Sequence, residues 1–108
     1  MPNTFTSYVN KNIGTGGGNV VTVGASTQTT VIGLSCANTT TSPVTVDVFF
    51  TRSSVDYYII RNGTVPVGGS LVVVGGDQKL VLITGDVLKI VSSAANSIDV
   101  VTSVLNIT

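Results

Sequence analysis

The side chains that could carry acid–base or nucleophilic chemistry are few: five aspartates, three tyrosines and one cysteine, with no histidine and no glutamate. General acid–base catalysis needs titratable groups placed together. Two of the aspartates, Asp77 and Asp86, fall in glycine-containing turns, Gly75-Gly76-Asp77 and Gly85-Asp86. A short polar side chain that bonds its own backbone is the ordinary reason for an aspartate there. A carboxylate pair built from two such turns would require a proximity that no spacing announces. No serine lies in a Gly-x-Ser-x-Gly elbow, and a triad would have no histidine base. Zinc would require Cys and His at close spacing, and an EF-hand a run of acidic or amide ligands closed by Glu. Both patterns are missing. The glycine-rich Gly14-Thr15-Gly16-Gly17-Gly18-Asn19 lacks the Lys-Ser/Thr ending of a phosphate loop, has Asn19 where a dinucleotide fingerprint needs glycine, and leads into the strand-like Val20-Val21-Thr22-Val23. No catalytic residue, metal or cofactor is expected.

Association is the remaining chemistry. Tyr57-Tyr58 with Phe49-Phe50 is the only aromatic concentration. On a strand, one ring of each pair should point inward and the other outward, where a tyrosine could stack on a sugar or enter a protein interface. The single cysteine, Cys36, lies in an apolar alternating run from Thr30 to Ala37 and is expected to be a buried structural thiol. Charged residues are 9% of the chain against roughly a quarter in an average soluble domain, and five basic residues cancel five acidic ones. That balance leaves no electrostatic footprint for nucleic acid or an anionic membrane. No window reaches the ~18 apolar residues of a membrane-spanning helix, and Met1 to Tyr8 lacks the basic and apolar regions of a secretory signal. Asn38-Thr39-Thr40, Asn62-Gly63-Thr64 and Asn106-Ile107-Thr108 match the glycosylation pattern, as chance matches do in a chain rich in Asn and Thr.

The elements that position these residues are strands. The chain has 20 Val, 16 Thr and 8 Ile, so β-branched residues dominate its 108 positions. Short β-branched segments alternate with turn residues every eight to twelve positions from Val20 onward. The predicted strands are Phe5 to Val9, Val20 to Val23, Thr29 to Ala37, Val44 to Thr51, Val55 to Arg61, Ser70 to Val74, Lys79 to Ile83, Val87 to Ser92 and Ile98 to Ile107. Eight or nine short strands predict an antiparallel β-sandwich of jelly-roll or immunoglobulin-like type. Val44, Val46, Val48 and Phe50 should face its core, opposite Thr45, Asp47, Phe49 and Thr51. The segments from Val55 and from Ile98 are apolar on both faces, more than one core requires. Asn62-Gly63 reads as a two-residue hairpin turn, and short links from Asn62 onward predict antiparallel neighbours. Asn10 to Asn19 reads as a flexible arm or wide loop, so residues 1–19 form an amino-terminal strand and arm and residues 20–108 the sandwich.

Tyr57 to Ile107 resembles small all-β virion structural proteins of tailed bacteriophages. The resemblance rests on Tyr57-Tyr58, Pro66-Val67-Gly68-Gly69-Ser70, the Gly85-Asp86 turn and Ser93-Ala94-Ala95-Asn96-Ser97 before the last strand. It implies a non-enzymatic virion component assembled in the bacterial host cytoplasm, foremost a capsid decoration (cement) protein. Its partners would be the major capsid protein or other virion proteins and its own copies, as a homo-oligomer with trimers favoured. The arm and the outward face of Val55 to Arg61 would make the contacts. The expected interface residues are Phe5 and Tyr8 at the amino end, with Phe49, Tyr57, Tyr58, Ile60 and Arg61 beside the tyrosine pair. A neck or tail part, or a receptor- or glycan-binding module using Tyr57 or Tyr58, is the alternative, and a hydrolase on turn aspartates a third.

Overall fold

The computed structural model describes residues 3–75 and 79–108, all of whose regular elements are strands. They are β1 (Asn3–Ile13), β2 (Gly18–Thr22), β3 (Gln28–Asn38), β4 (Val44–Arg52), β5 (Val55–Val65), β6 (Ser70–Val74), β7 (Leu80–Leu82), β8 (Val87–Ser92) and β9 (Ile98–Ile107). One sheet has the order β1-β9-β3-β6, with β7 also paired to β3, and the other has the order β2-β8-β4-β5. Every pairing is antiparallel. Because β6 and β7 bond to different stretches of β3, they share one lane. Eight lanes in this order, the chain repeatedly crossing between sheets, make a jelly roll, so the sandwich is of that kind and not immunoglobulin-like.

The inner faces meet through β-branched and leucine side chains, as strand alternation requires. Val31, Leu34, Cys36, Ile98, Val100 and Val104 come from one sheet; Val44, Val46, Val48, Leu88 and Ile90 come from the other. Val44, Val46 and Val48 point inward as predicted. On β3 the inward side switches from Thr29 and Val31 to Leu34, Cys36 and Asn38, because a register shift against β9 between Val31 and Gly33 adds a residue.

Three local expectations give way. Asn10 to Asn19 is neither arm nor loop: β1 continues to Ile13, a tight turn follows in which Gly17 N–H donates to the Gly14 carbonyl at 3.0 Å, and β2 begins at Gly18. That turn is pinned from outside by Ser92 N–H on the Gly14 carbonyl and Ser97 N–H on the Ile13 carbonyl. Gly17 is required there, since its φ is +71° and a Cβ would sit 2.9 Å from the Ile90 carbonyl oxygen. β1 is thus a full member of the sandwich, not part of a separate arm. Asn62-Gly63 is not a hairpin turn either: β5 runs through it, and the positive φ of Asn62 serves a register shift against β4. The β4–β5 hairpin turns at Ser53-Ser54, both at positive φ. The antiparallel pairing expected from the short links after Asn62 is what the sheets show, although those links do not join paired strands: β8 pairs with β2 and β4, and β9 with β1 and β3.

A two-residue hairpin turn with both central residues left-handed favours Asn-Gly, and serine bears a strain there of order 1 kcal/mol per residue. Replacing Ser53-Ser54 by Asn-Gly is therefore expected to stabilise the protein by about 1 kcal/mol, read as a higher urea midpoint with an unchanged m-value.

Candidate functional site

Side chains able to do chemistry are scattered. Among the described residues no three of His, Cys, Asp or Glu come together as a metal site would require, and Asp77 lies outside the described residues. Asp86 is more than a turn aspartate. Its carboxylate is 1% exposed, accepts from Arg52 Nε at 2.9 and 3.1 Å and Nη2 at 2.6 Å, and accepts from the Ile83 N–H at 2.9 Å. This bidentate pair ties the end of β4 to the β7–β8 turn. The Arg52 hydrogen bonds hold the Asp86 carboxyl below its ordinary range despite desolvation, which works the other way. A charge so engaged is an anchor, with no lone pair aimed at open space for a substrate.

Cys36 is fully buried in the core and unpaired. Desolvation raises its thiol to about 12. It is expected to resist a thiol-reactive probe in the native state and to react with one equivalent in denaturant; fast native labelling would contradict the packing.

The aromatic pairs sit at the β4–β5 hairpin, with Phe49 opposite Tyr58 and Phe50 opposite Tyr57. Phe50 faces inward as predicted but is only half-buried, since it lies toward the end of the sandwich. There Tyr57 stacks on it at 5.4 Å and Arg52 lies over it at 5.2 Å. Phe49 is on the outer face yet buried, covered by Tyr58 at 4.9 Å. The inward/outward assignment of the tyrosines thus does not separate core from surface: Tyr57 and Tyr58 are 49% and 45% exposed. Arg61 lies 4.9 Å over the Tyr58 ring, and Ile60 is drawn onto the core. The outer face of this sheet is polar, carrying Asp47, Asp56, Arg61 and Lys89 on β4, β5 and β8.

The amino-terminal candidates separate. Tyr8 is partly buried against the core and its hydroxyl accepts from Asn106 Nδ2 at 3.2 Å. Phe5 is 74% exposed on the outer face of the other sheet. The register shows what surrounds it. One row across that face reads Phe5, Leu105, Thr30, Val81; a second reads Val9, Val101, Ser35, Val72; between them lie Ser7, Ser103 and Gly33. Val9, Val72, Val81 and Val101 are all at least half exposed. Among the strand residues of this face the charges are Lys11 and Asp99, which pair with each other at one end at 3.6 Å. A cleft of about 250 Å³ between Val9 and Val101 indents the same end. Residue reading missed Val9, Val72 and Val81; the doubly apolar pattern of β9 was the signal, and cross-strand register was needed to extend it.

A two-sheet jelly roll with one apolar outer face and no acid–base cluster among its described residues is the class that fold and surface define. No protein-family model and no curated protein matches the chain. One solved structure, from work showing that Bacillus endospore appendages form a novel family of disulfide-linked pili, is similar over 98% of this chain and 88% of its own, with a TM-score of 0.58 and 16% identity. That likeness carries the two-sheet fold.

Proposed function

We propose that the chain is a non-enzymatic structural subunit that works by packing its sheet surface against neighbouring subunits, in the particular form of a capsid decoration protein of a tailed-phage virion. The observation that carries the general reading is the apolar, nearly uncharged outer face of the β1-β9-β3 sheet. Soluble monomers rarely leave contiguous apolar patches of more than a few hundred Å² open to water. The virion reading is supported by the sequence resemblance and by the jelly roll, an architecture that viral capsid domains use. Many weak equivalent contacts hold a small module firmly when its sites are presented on a lattice.

A filament subunit is the second reading, favoured by the fold shared with a pilus protein. Disulfide linkage belongs to that protein. Here the one cysteine is buried, so assembly of this chain would be non-covalent. A glycan-binding module draws less support: Phe49 and Arg61 already lie against the Tyr58 ring, leaving less of it for a sugar.

Negative-stain electron microscopy of the purified protein, together with quantitative staining of purified virions, tests these readings. Many copies per particle support the decoration role. A dozen or fewer would move the subunit to the neck or tail, and unaided filaments would favour the second reading. A monomer with substrate turnover would overturn all of them.

A further inference from the structure

We infer that the outer face of the β1-β9-β3 sheet, with its β6 and β7 lane, seats a second copy of this chain, sheet face against sheet face. The inference rests on the assembly reading and names its surface and its partner.

Three observations identify the occupant. The first is area. The face is four lanes wide and, along β3, about ten residues long, so strand spacings near 4.8 Å and rises near 3.4 Å give it a footprint of roughly 650 Å². A stable interface buries about 800 Å² per partner. Protruding Phe5, Val9 and Val101 add accessible surface beyond the flat footprint, so one face meeting one face supplies the area a stable dimer needs.

The second is charge. A two-fold contact sets each patch against an identical patch, so any unpaired charge near the axis meets its own sign. Among the strand residues, the rows from Phe5 to Val81 and from Val9 to Val72 hold no charge, and the charged pair on this face, Lys11 with Asp99, is neutralised within the subunit at the margin. The opposite sheet, with Asp47, Asp56, Arg61 and Lys89 outward, lacks this property.

The third is relief. Two apolar rows flank a row of small residues, Ser7, Ser103 and Gly33. Ridges on either side of a shallow trough let two such faces interdigitate at about the 10 Å separation of packed sheets.

Equilibrium sedimentation of the full chain, with Val101→Lys and Val72→Lys tested separately, decides the matter. The expected result is a species of twice the 11.0 kDa chain mass, and for each lysine variant a dissociation constant raised a hundredfold or more, because the added charge would be buried between apolar faces. Both positions are exposed, on different strands, so circular dichroism should be unchanged, and thermal melting should match that of the wild type at dilutions where both are monomeric. If one variant unfolds, the other carries the test. A monomeric wild type at high concentration would overturn this inference, while the assembly reading would still be decided by the copy number on purified virions. A trimer by mass, or an oligomer that survives both lysines and dissociates on Tyr58→Ala, would overturn this inference alone.

Discussion

Asn38→Ala is expected to cost about 3 kcal/mol, a large share of the ~5 to 15 kcal/mol that holds a domain of this kind together. Asn38 closes β3 and is 5% exposed. Its Nδ2 donates to the Ser42 carbonyl at 2.9 Å and to the Val65 carbonyl at 3.1 Å, while its Oδ1 accepts from the Thr40 N–H and the Thr40 hydroxyl, both at 2.8 Å. One amide thus ties three pieces together: the end of one sheet, the loop leading into β4, and the last residue of β5 in the other sheet. After truncation the Val65 carbonyl, beside a side chain with no exposure, is left buried without its partner at about 1 to 3 kcal/mol. The loop groups regain part of their loss from water. A urea midpoint shift corresponding to less than 1 kcal/mol would show that solvent already serves this corner. The same geometry removes Asn38 as a glycosylation acceptor, since both ends of its amide are used inside the fold.

The second large effect follows from the Arg52–Asp86 pair. Asp86→Asn is expected to lower stability by about 2 kcal/mol at neutral pH. That lies between the sub-kcal value of exposed ion pairs and the ~3 to 5 kcal/mol lost when a fully buried pair is broken, because Asp86 is buried whereas the Arg52 side chain is 37% exposed and can rehydrate. The pH dependence has a definite sign. The folded carboxyl is held below its ordinary value of 3.8, so the unfolded chain takes up a proton first as acid is added. The stability this pair contributes is complete above that ordinary value and drains away below it, as pH falls toward the folded value. Asp86→Asn has no such proton to take up, so its stability should fall less steeply below pH 4 than that of the wild type. Chemical denaturation at a series of pH values measures this; parallel acid limbs for the two proteins would mean that other carboxylates dominate.

Much of the fold is written in local pattern. The strand regions from Val44, Val87 and Ile98 are legible because β4 keeps an unbroken ladder with β8, so Val44, Val46 and Val48 alternate inward without interruption. The same alternation misleads on β3 and β5, where register shifts add residues that no neighbour-by-neighbour reading can place. Asn62-Gly63 shows the ambiguity plainly: a residue at positive φ serves a hairpin turn and a bulge equally well, and the choice depended on whether β4 offered further partners. The candidate site was half visible. Phe5 and the outward side of β9 were readable as excess apolar surface, whereas the partial burial of Tyr8 and Ile60 against the core depended on packing.

Composition and alternation alone determined that this chain forms strands, that their apolar sides build a core, and that it lacks histidine and glutamate for acid–base work, because those properties belong to each residue and its immediate neighbours. Tertiary structure decided which strands pair. Eight lanes wrapped as a jelly roll send short links across the sandwich instead of along one sheet, so β1 meets β9 and β2 meets β8 from opposite ends of the chain. It also assembled Phe5, Val9, Val72, Val81 and Val101 into one apolar face, since residues far apart in sequence become neighbours only when hydrogen-bond register fixes them across strands.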